Sequence, residues 1–243
     1  FVRINTGLTN DRPTHVIEHK RHLFFSFDGN IQYSGIGVPH EFTVLSGANQ
    51  LATGQLITGF KVESGSEQGG RSGALLVFNK NRSHVIYGSS SLDWDMIQYR
   101  EEIGAYPYTI QEMANTMFLG DQGITDLETT QAFGNFKHNT YSSIVQSFMN
   151  ERRGRATASI RSRDKSQYRI FFSDGWALYI TMEGREVKGI MPVYFPVPVN
   201  VAISVERDDG TEAMYIGTTR SIGPAADIGG QTHKLDAGTS FDG

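Results

Sequence analysis

The sequence predicts an all-β protein made of short strands joined in hairpins. The clearest hairpin places Asp174-Gly175 between two runs of aromatic and β-branched residues, Tyr168–Ser173 and Trp176–Met182. An Asp-Gly pair readily supplies the positive φ angles of a type I′ turn, and such flanking residues favour strands. The same device occurs at Asp28-Gly29, and the last hairpin contains an Asp209-Gly210 turn. All three pairs are therefore predicted to be structural turns.

The hairpins recur at an interval that favours a β-propeller. Their first strands begin near residues 22, 74, 116, 168 and 212. An interval of roughly 40–50 residues, with about four strands in each unit, is typical of propeller blades. The prediction is thus a β-propeller-like chain with about five four-stranded blade units. A Greek-key β-sandwich is the alternative, although it has no reason to repeat at blade length.

Helical periodicity is credible in one segment, Ser142–Arg152, where apolar residues fall at helical spacing behind a serine that can cap. We expect one short connecting helix there; a strand that leads into Ala156–Ser162 is the alternative. The whole chain, residues 1–243, is expected to form a single propeller domain. It is also expected to be a fragment of a longer protein, because it lacks an initiator Met and stops within an apparent strand and turn.

Composition excludes several classes of protein. The chain has 243 residues and no Cys, which excludes disulfides and thiolate metal sites. With 22 basic and 26 acidic residues the formal net charge is −4, so no strong overall field directs the chain to nucleic acid or a membrane. No run approaches the ~18 apolar residues that a membrane span requires.

The sharpest catalytic motif is the segment His15-Val16-Ile17-Glu18-His19, which matches the H-x-x-E-H string of one class of zinc peptidases. That chemistry requires both histidines on one face of a helix. Here Pro13 precedes the segment and an obvious strand begins at His22, which leaves little room for a helix. We therefore interpret the segment as a loop that enters the first strand, and we predict no metal site.

Carboxylates offer a second route to catalysis, because strands can bring together acids that are distant in sequence. Glu101, Glu102, Asp93 and Asp95 are the obvious candidates, and solvation at the surface is their expected role. The Asp-Gly pairs lack the alternating acidic ligands of a calcium loop. Neither a phosphate-binding loop nor a G-x-S-x-G elbow occurs. The sequence therefore predicts no catalytic, cofactor-binding or metal-binding residue.

Charge is unevenly distributed along the chain. A basic stretch between residues 152 and 169 is followed by an acidic stretch between residues 206 and 212. Such asymmetry is typical of complementary contacts between subunits. Binding of a nucleic-acid phosphate backbone is one alternative, and solvated strand edges are another. The candidate interface residues are Arg152, Arg153, Arg155, Arg161, Arg163, Glu206, Asp208, Asp209 and Glu212.

Several runs carry a resemblance to a known family. The run Ala74–Gly88 is followed by Glu102–Ala105 and Met117–Ile124, and Phe172–Gly175 continues the same pattern of aromatic strands and turns. This succession resembles the β-propeller tail nozzle (hub) proteins of short-tailed bacteriophages and related phage virion proteins. The resemblance spans most of the chain and identifies no catalytic residue.

The resemblance implies a structural virion protein without enzymatic activity or cofactor. It implies a homo-oligomeric, hexameric ring below the portal and adaptor, which lines the channel through which DNA passes without specific binding. Needle or fibre proteins would dock on the ring, which would be made in the host cytoplasm and reside in the virion tail. The alternatives are a propeller enzyme, such as a glycoside hydrolase, and a monomeric propeller that binds a peptide or glycan.

Overall fold

The described part of the chain folds into five antiparallel sheets of three or four strands. The computed structural model describes residues 4, 6–7, 12–63, 73–88, 90, 92–127, 140–219 and 230–237. The residues cluster into two compact units, Phe1–Ala105 and Tyr106–Gly243. The prediction of an all-β chain with about five sheets is confirmed, and the expectation of one propeller domain over residues 1–243 stays a prediction.

The first unit contains two four-stranded sheets, each with its strands in chain order. Sheet 1 comprises β1 (His15–His19), β2 (His22–Phe27), β3 (Asn30–Tyr33) and β4 (Asn49–Ala52). Sheet 2 comprises β5 (Ile57–Glu63), β6 (Ala74–Asn79), β7 (Arg82–Tyr87) and β8 (Asp95–Glu101). A 3₁₀ turn, Val44–Ser46, precedes β4.

The second unit contains three sheets and the short helix. Sheet 3 comprises β9 (Gln111–Glu112), β10 (Thr116–Gly120) and β11 (Gly123–Asp126). The helix α1 (Gln146–Arg152) lies between the 3₁₀ turns Ser143–Val145 and Arg153–Arg155, as the apolar spacing predicted. Sheet 4 comprises β12 (Ala156–Ser162), β13 (Gln167–Phe172), β14 (Trp176–Glu183) and β15 (Glu186–Tyr194). Sheet 5 comprises β16 (Val199–Glu206), β17 (Glu212–Thr218) and β18 (Gln231–Leu235).

Within each unit, apolar side chains from adjacent sheets share a core. In the first unit, Phe24 and Ile31 of sheet 1 cluster with Leu75 and Val77 of sheet 2. In the second unit, one face of sheet 4 packs with sheet 3 and α1, and its other face packs with sheet 5. Strand β13 supplies both cores, because its side chains alternate between the two faces of the sheet.

The turns differ in geometry from the sequence prediction. A type I′ turn needs positive φ at both central residues. Asp28 has φ 50° while Gly29 is not in the positive region, and Gly175 has φ 86° while Asp174 is not. The Asp174 turn is a three-residue loop in which the Gly175 N–H donates to the Phe172 carbonyl at 3.1 Å. Gly210 has φ 78° in the longer loop that includes Asp209.

The type I′ pattern of two positive φ angles occurs instead between β1 and β2, at Lys20 (φ 48°) and Arg21 (φ 67°). The Glu18 carboxylate accepts a hydrogen bond from the Arg21 N–H at 2.8 Å, which helps to hold this turn. His15–His19 is the strand β1, so the segment that matches the zinc-peptidase motif is not helical. The loop expected in this place is therefore a strand followed by a tight turn.

A β-bulge recurs at the second residue of the first strand in sheets 2, 4 and 5. The bulges lie at Thr58, Thr157 and Asn200, where the register with the second strand shifts. Thr58 and Thr157 occupy equivalent positions, and each hydroxyl oxygen lies 3.2 Å from a carbonyl oxygen of the second strand, that of Phe78 or Phe171. The bulges thus define equivalent positions along β5, β12 and β16.

Replacing Gly175 by Ala tests how the β13–β14 turn is built. A Cβ atom at Gly175 would lie 2.6 Å from the Phe195 carbonyl oxygen, whereas none at Gly184 would meet any atom within 4 Å. Both glycines have positive φ, so Gly184→Ala is the control for backbone strain alone. We expect Gly184→Ala to cost about 1 kcal/mol of unfolding free energy. Gly175→Ala should cost about 1–3 kcal/mol more, because the clash adds overpacking. Equal urea midpoints for the two variants would contradict this account.

Candidate functional site

Sheets 4 and 5 meet at a seam where Ala158 and Ile160 of β12 pack with Met214 and Ile216 of β17. Three of the charged residues singled out in the sequence lie at this seam: Arg163, Glu206 and Glu212. The Thr157 hydroxyl joins the two sheets by donating to the Val199 carbonyl at 2.5 Å. This seam, formed by β12, β13 and sheet 5, is called the 4–5 seam below.

Glu212 collects hydrogen bonds from both sides of the 4–5 seam. Its carboxylate accepts from the Ser204 hydroxyl at 2.6 Å, from the Ser162 hydroxyl at 3.1 Å and from the Arg163 N–H at 2.9 Å. Burial acts to raise the pKa of Glu212, but these hydrogen bonds outweigh burial and lower the pKa from its ordinary value. Glu212 therefore stays ionised and fastens the end of β12 to sheet 5.

Arg169 makes a third polar link across the 4–5 seam. Its side chain is 1% exposed, and its Nη2 donates to Asp236 Oδ2 at 2.7 Å. Gln167 accepts two further hydrogen bonds from the guanidinium, which also lies over the Tyr179 ring, with Cζ 4.3 Å from the centroid. Partial burial acts to raise the pKa of Asp236, but Arg169 and Lys165 outweigh burial and lower it.

The structure pairs several predicted interface residues within the chain. Arg163 Nη1 lies 2.7 Å from Glu206 Oε2, and both side chains are more than 60% exposed. Exposed pairs of this kind are worth about 0–1 kcal/mol. The Asp209 carboxylate accepts from the Thr211 N–H at 2.9 Å, and hydrogen bonds from Thr211 lower its pKa. Asp209 is therefore engaged in its own turn.

Arg152 and Arg153 hold α1 against the sheets. Arg152 Nε lies 2.7 Å from Asp174 Oδ2, and the guanidinium stacks on Phe148 with Cζ 4.2 Å from the ring centroid. Arg153 donates to the Asp121 carbonyl. Charge reversal at these two positions would therefore disturb the fold as well as any interface.

The predicted interface residues that remain free are Arg155, Arg161 and Asp208, which form no ion pair with another described residue. Their role in subunit contact stays a prediction. In the sequence, Arg169 ends the basic stretch expected in subunit contact, whereas no role was predicted for Asp236. Strand alternation could have placed Arg169 on the same buried face as Phe171, but its partner lies 67 residues away and gives no local signal.

The opposite face of sheet 5 carries an apolar stripe formed by Val201, Ile203 and Val205, which are 59%, 55% and 41% exposed. Counted from the bulges, these residues are equivalent to Ala158, Ile160 and Ser162 of β12. Ala158 and Ile160 are only 5% and 3% exposed, because sheet 5 covers them. The β16 stripe therefore stands where a further sheet would pack in the same arrangement.

The residues considered as metal ligands and catalytic acids include His19 and Asp93, whose surroundings the structure describes. Among the described residues, no group of three or more His, Asp or Glu side chains could hold a metal ion. Burial lowers the pKa of His19 to about 4, with the nearby Lys20 acting in the same direction, so His19 is neutral at pH 7. The Asp93 carboxylate accepts from the Ser90 N–H at 2.7 Å in a local turn. None of the described helices has the length and apolar character needed to cross a bilayer.

Replacing Asp236 by Asn tests the buried link of the 4–5 seam. At pH 7 we expect Asp236→Asn to lower the unfolding free energy by about 1–3 kcal/mol, since Arg169 loses its charged partner. The pKa of Asp236 is lowered in the folded state, so its contribution is present above the ordinary value of 3.8 and disappears as the pH falls through the folded pKa. Urea unfolding at pH 7 and below pH 3.8 should therefore show a difference that shrinks in acid.

Glu206→Gln is the matched control for that experiment, because it removes an exposed ion pair on the same two sheets. It should change the unfolding free energy by at most about 1 kcal/mol. A cost for Asp236→Asn no larger than that of Glu206→Gln would show that the Arg169 link does not stabilise the seam.

Comparison with solved structures bears on the fold alone. Neither a protein-family model nor a curated protein sequence matches this chain. Raptor from Chaetomium thermophilum is similar over 93% of this chain, at 9% sequence identity and a TM-score of 0.56. BBS1N, in a crystal structure with ARL6DN, is similar over 86% at 11% identity and a TM-score of 0.51. The chain spans 21% of the Raptor chain and 62% of the BBS1N chain. The chain has the all-β architecture of β-propeller structures.

Proposed function

We propose that this protein is a structural assembly component whose sheets form a stiff scaffold and whose exposed strand surface docks a neighbouring subunit. The observation that carries the proposal is the β16 stripe of Val201, Ile203 and Val205. Three alternating apolar side chains on one strand are 41–59% exposed. Burying such a surface against another protein surface is favourable. Among the described strands, β16 is also an edge strand of sheet 5, where an uncovered apolar strand promotes association.

The occupant that we propose is a second copy of this chain. The stripe contains no charged residue, and its neighbours across β17 are Gly217, Tyr215 and Ala213. An apolar surface selects a partner by shape rather than by charge, and interfaces between identical subunits are the more apolar class. Closed homo-oligomers are also the commonest soluble assemblies. Asp208, in the loop that follows β16, would add a polar contact beside such an interface.

The finer form of the proposal is a tail nozzle subunit of a short-tailed phage, as the sequence resemblance implies. In that setting the oligomer is a hexameric ring between the portal and adaptor and the needle or fibre proteins. The chain's net charge of −4 supports a channel that passes DNA without holding it, because each added cationic contact with phosphate would raise affinity. The ion pair between Arg163 and Glu206 also supports a channel that does not hold DNA, since it leaves Arg163 less available to contact phosphate.

Replacing Ile203 by Asp tests the docking surface. We expect the unmodified chain to associate as its concentration rises, with a mass above the 27.0 kDa of one chain. Ile203→Asp should return the mass to that of the single chain, because an ionised carboxylate resists burial in an apolar interface. Light scattering coupled to size exclusion measures both, and circular dichroism checks that the fold is retained.

Gln50→Asp is the control, since Gln50 is an exposed strand residue of sheet 1. It should leave the association unchanged. A mass of 27.0 kDa at every concentration, or an Ile203→Asp variant that associates as well as the unmodified chain, would refute self-association through the β16 stripe.

A further inference from the structure

A cleft in the second unit, lined by polar residues, lies between the β10–β11 turn and α1. Its volume is about 540 Å³, within the roughly 300–1,000 Å³ range of small-molecule sites. The side chains that line it belong to Asp121, Gln122, Thr140, Ser143, Gln146, Asn150 and Arg153. Neither the β16 stripe nor the 4–5 seam contributes a residue to this cleft, so it calls for a separate explanation.

Local contacts fix the two walls of the cleft. Gly123 has φ 123°, and a Cβ atom there would lie 2.4 Å from the Ser142 hydroxyl, so only Gly allows this close approach. The Ser142 hydroxyl accepts from the Ile124 N–H at 3.0 Å, and the Tyr141 N–H donates to the Ile124 carbonyl at 2.8 Å. The start of the helical segment is thereby tied to β11, and a site whose walls are held in this way loses less entropy on binding.

The polar side chains of the cleft are oriented by their neighbours. The Tyr106 hydroxyl donates to Asp121 Oδ1 at 2.8 Å, which leaves Oδ2 as an acceptor. Gln146 Nε2 donates to the Gln122 carbonyl at 3.2 Å and to Asn150 Oδ1 at 3.1 Å. Gln146 Oε1 then remains as an acceptor and the Asn150 amide nitrogen as a donor. Arg153 retains further N–H donors beyond the one that contacts the Asp121 carbonyl.

The charge of the cleft selects among ligand classes. One carboxylate, Asp121, and one guanidinium, Arg153, balance each other among the lining residues. A phosphate or sulfate would favour an excess of cationic donors, and a divalent cation would favour several oxygen ligands with net negative charge. The remaining groups are amides and hydroxyls, which both donate and accept. Such a mixture matches a neutral ligand with many hydroxyl groups.

We propose that this cleft binds a neutral saccharide. Vicinal hydroxyl groups both donate and accept hydrogen bonds, and they complement the free Asp121 oxygen, the Asn150 amide nitrogen and the Arg153 N–H groups. The ligand lies against the β10–β11 turn on one side and α1 on the other. The proposal stands independently of assembly through sheet 5.

Binding is tested by saturation-transfer NMR and calorimetry with a fixed panel of neutral saccharides: glucose, galactose, mannose, N-acetylglucosamine, lactose and maltose. Glucose 6-phosphate and glucosamine serve as the anionic and cationic comparators. We expect saturable binding of at least one neutral sugar, with a dissociation constant of about 1 mM. Gln146→Ala and Asn150→Ala should each weaken it by about tenfold or more, while the circular dichroism of the chain stays unchanged.

Ser147→Ala is the matched control, because Ser147 is an exposed residue of α1 that does not line the cleft. It should bind as the unmodified chain does. Binding that survives both cleft variants, or no saturable binding of any sugar in the panel, would overturn the proposal. Tighter binding of glucose 6-phosphate than of glucose, lost in Arg153→Gln, would overturn its neutral class.

Discussion

In sheets 2, 3 and 4, the second strand in chain order is buried on both of its faces. This burial is the constraint on which the rest of the structure depends. In β13, Tyr168, Ile170 and Phe172 point to one core while Arg169 and Phe171 point to the other. Strands β6 and β10 are buried in the same two-sided way. A sheet with two apolar faces must be covered on both sides, because exposure costs about 25 cal/mol for each Å² of apolar area. Within each unit, stacking of successive sheets covers one face of β6 and of β10 and both faces of β13.

Stacking also explains where the polar groups go. Buried polar atoms between sheets need partners, and the chain provides them at the ends and bulges of strands. Thr157 reaches a carbonyl of the next sheet, and Glu212 gathers hydroxyl and backbone donors from the end of β12. Arg169 is tolerated at 1% exposure because Asp236 and Gln167 satisfy part of its guanidinium. Sheet 5 is covered by sheet 4 on one face, while the β16 stripe on its other face remains exposed.

The elements that sequence predicted well are those governed by local chemistry. The strands around Asp28-Gly29 and Asp174-Gly175 follow from aromatic and β-branched runs beside strong turn residues. The turn types could not be predicted, because loop closure and register decide which residue takes positive φ; Lys20 and Arg21 adopt it without any glycine. The ion-pair partners of the charged side chains could not be predicted from the sequence either. Arg163 and Glu206 form an ion pair within the chain because sheets 4 and 5 bring the two side chains together.

In the proposed assembly, β16 is exposed in the isolated subunit and buried in the oligomer. Hydrogen–deuterium exchange resolved by peptide, measured at low and high protein concentration, tests this most directly. We expect slow exchange in β13 at both concentrations, since that strand is buried on both faces. In β16 we expect exchange that slows markedly as the protein concentration rises. Exchange in β16 at the same rate at both concentrations, or fast exchange in β13, would contradict the account.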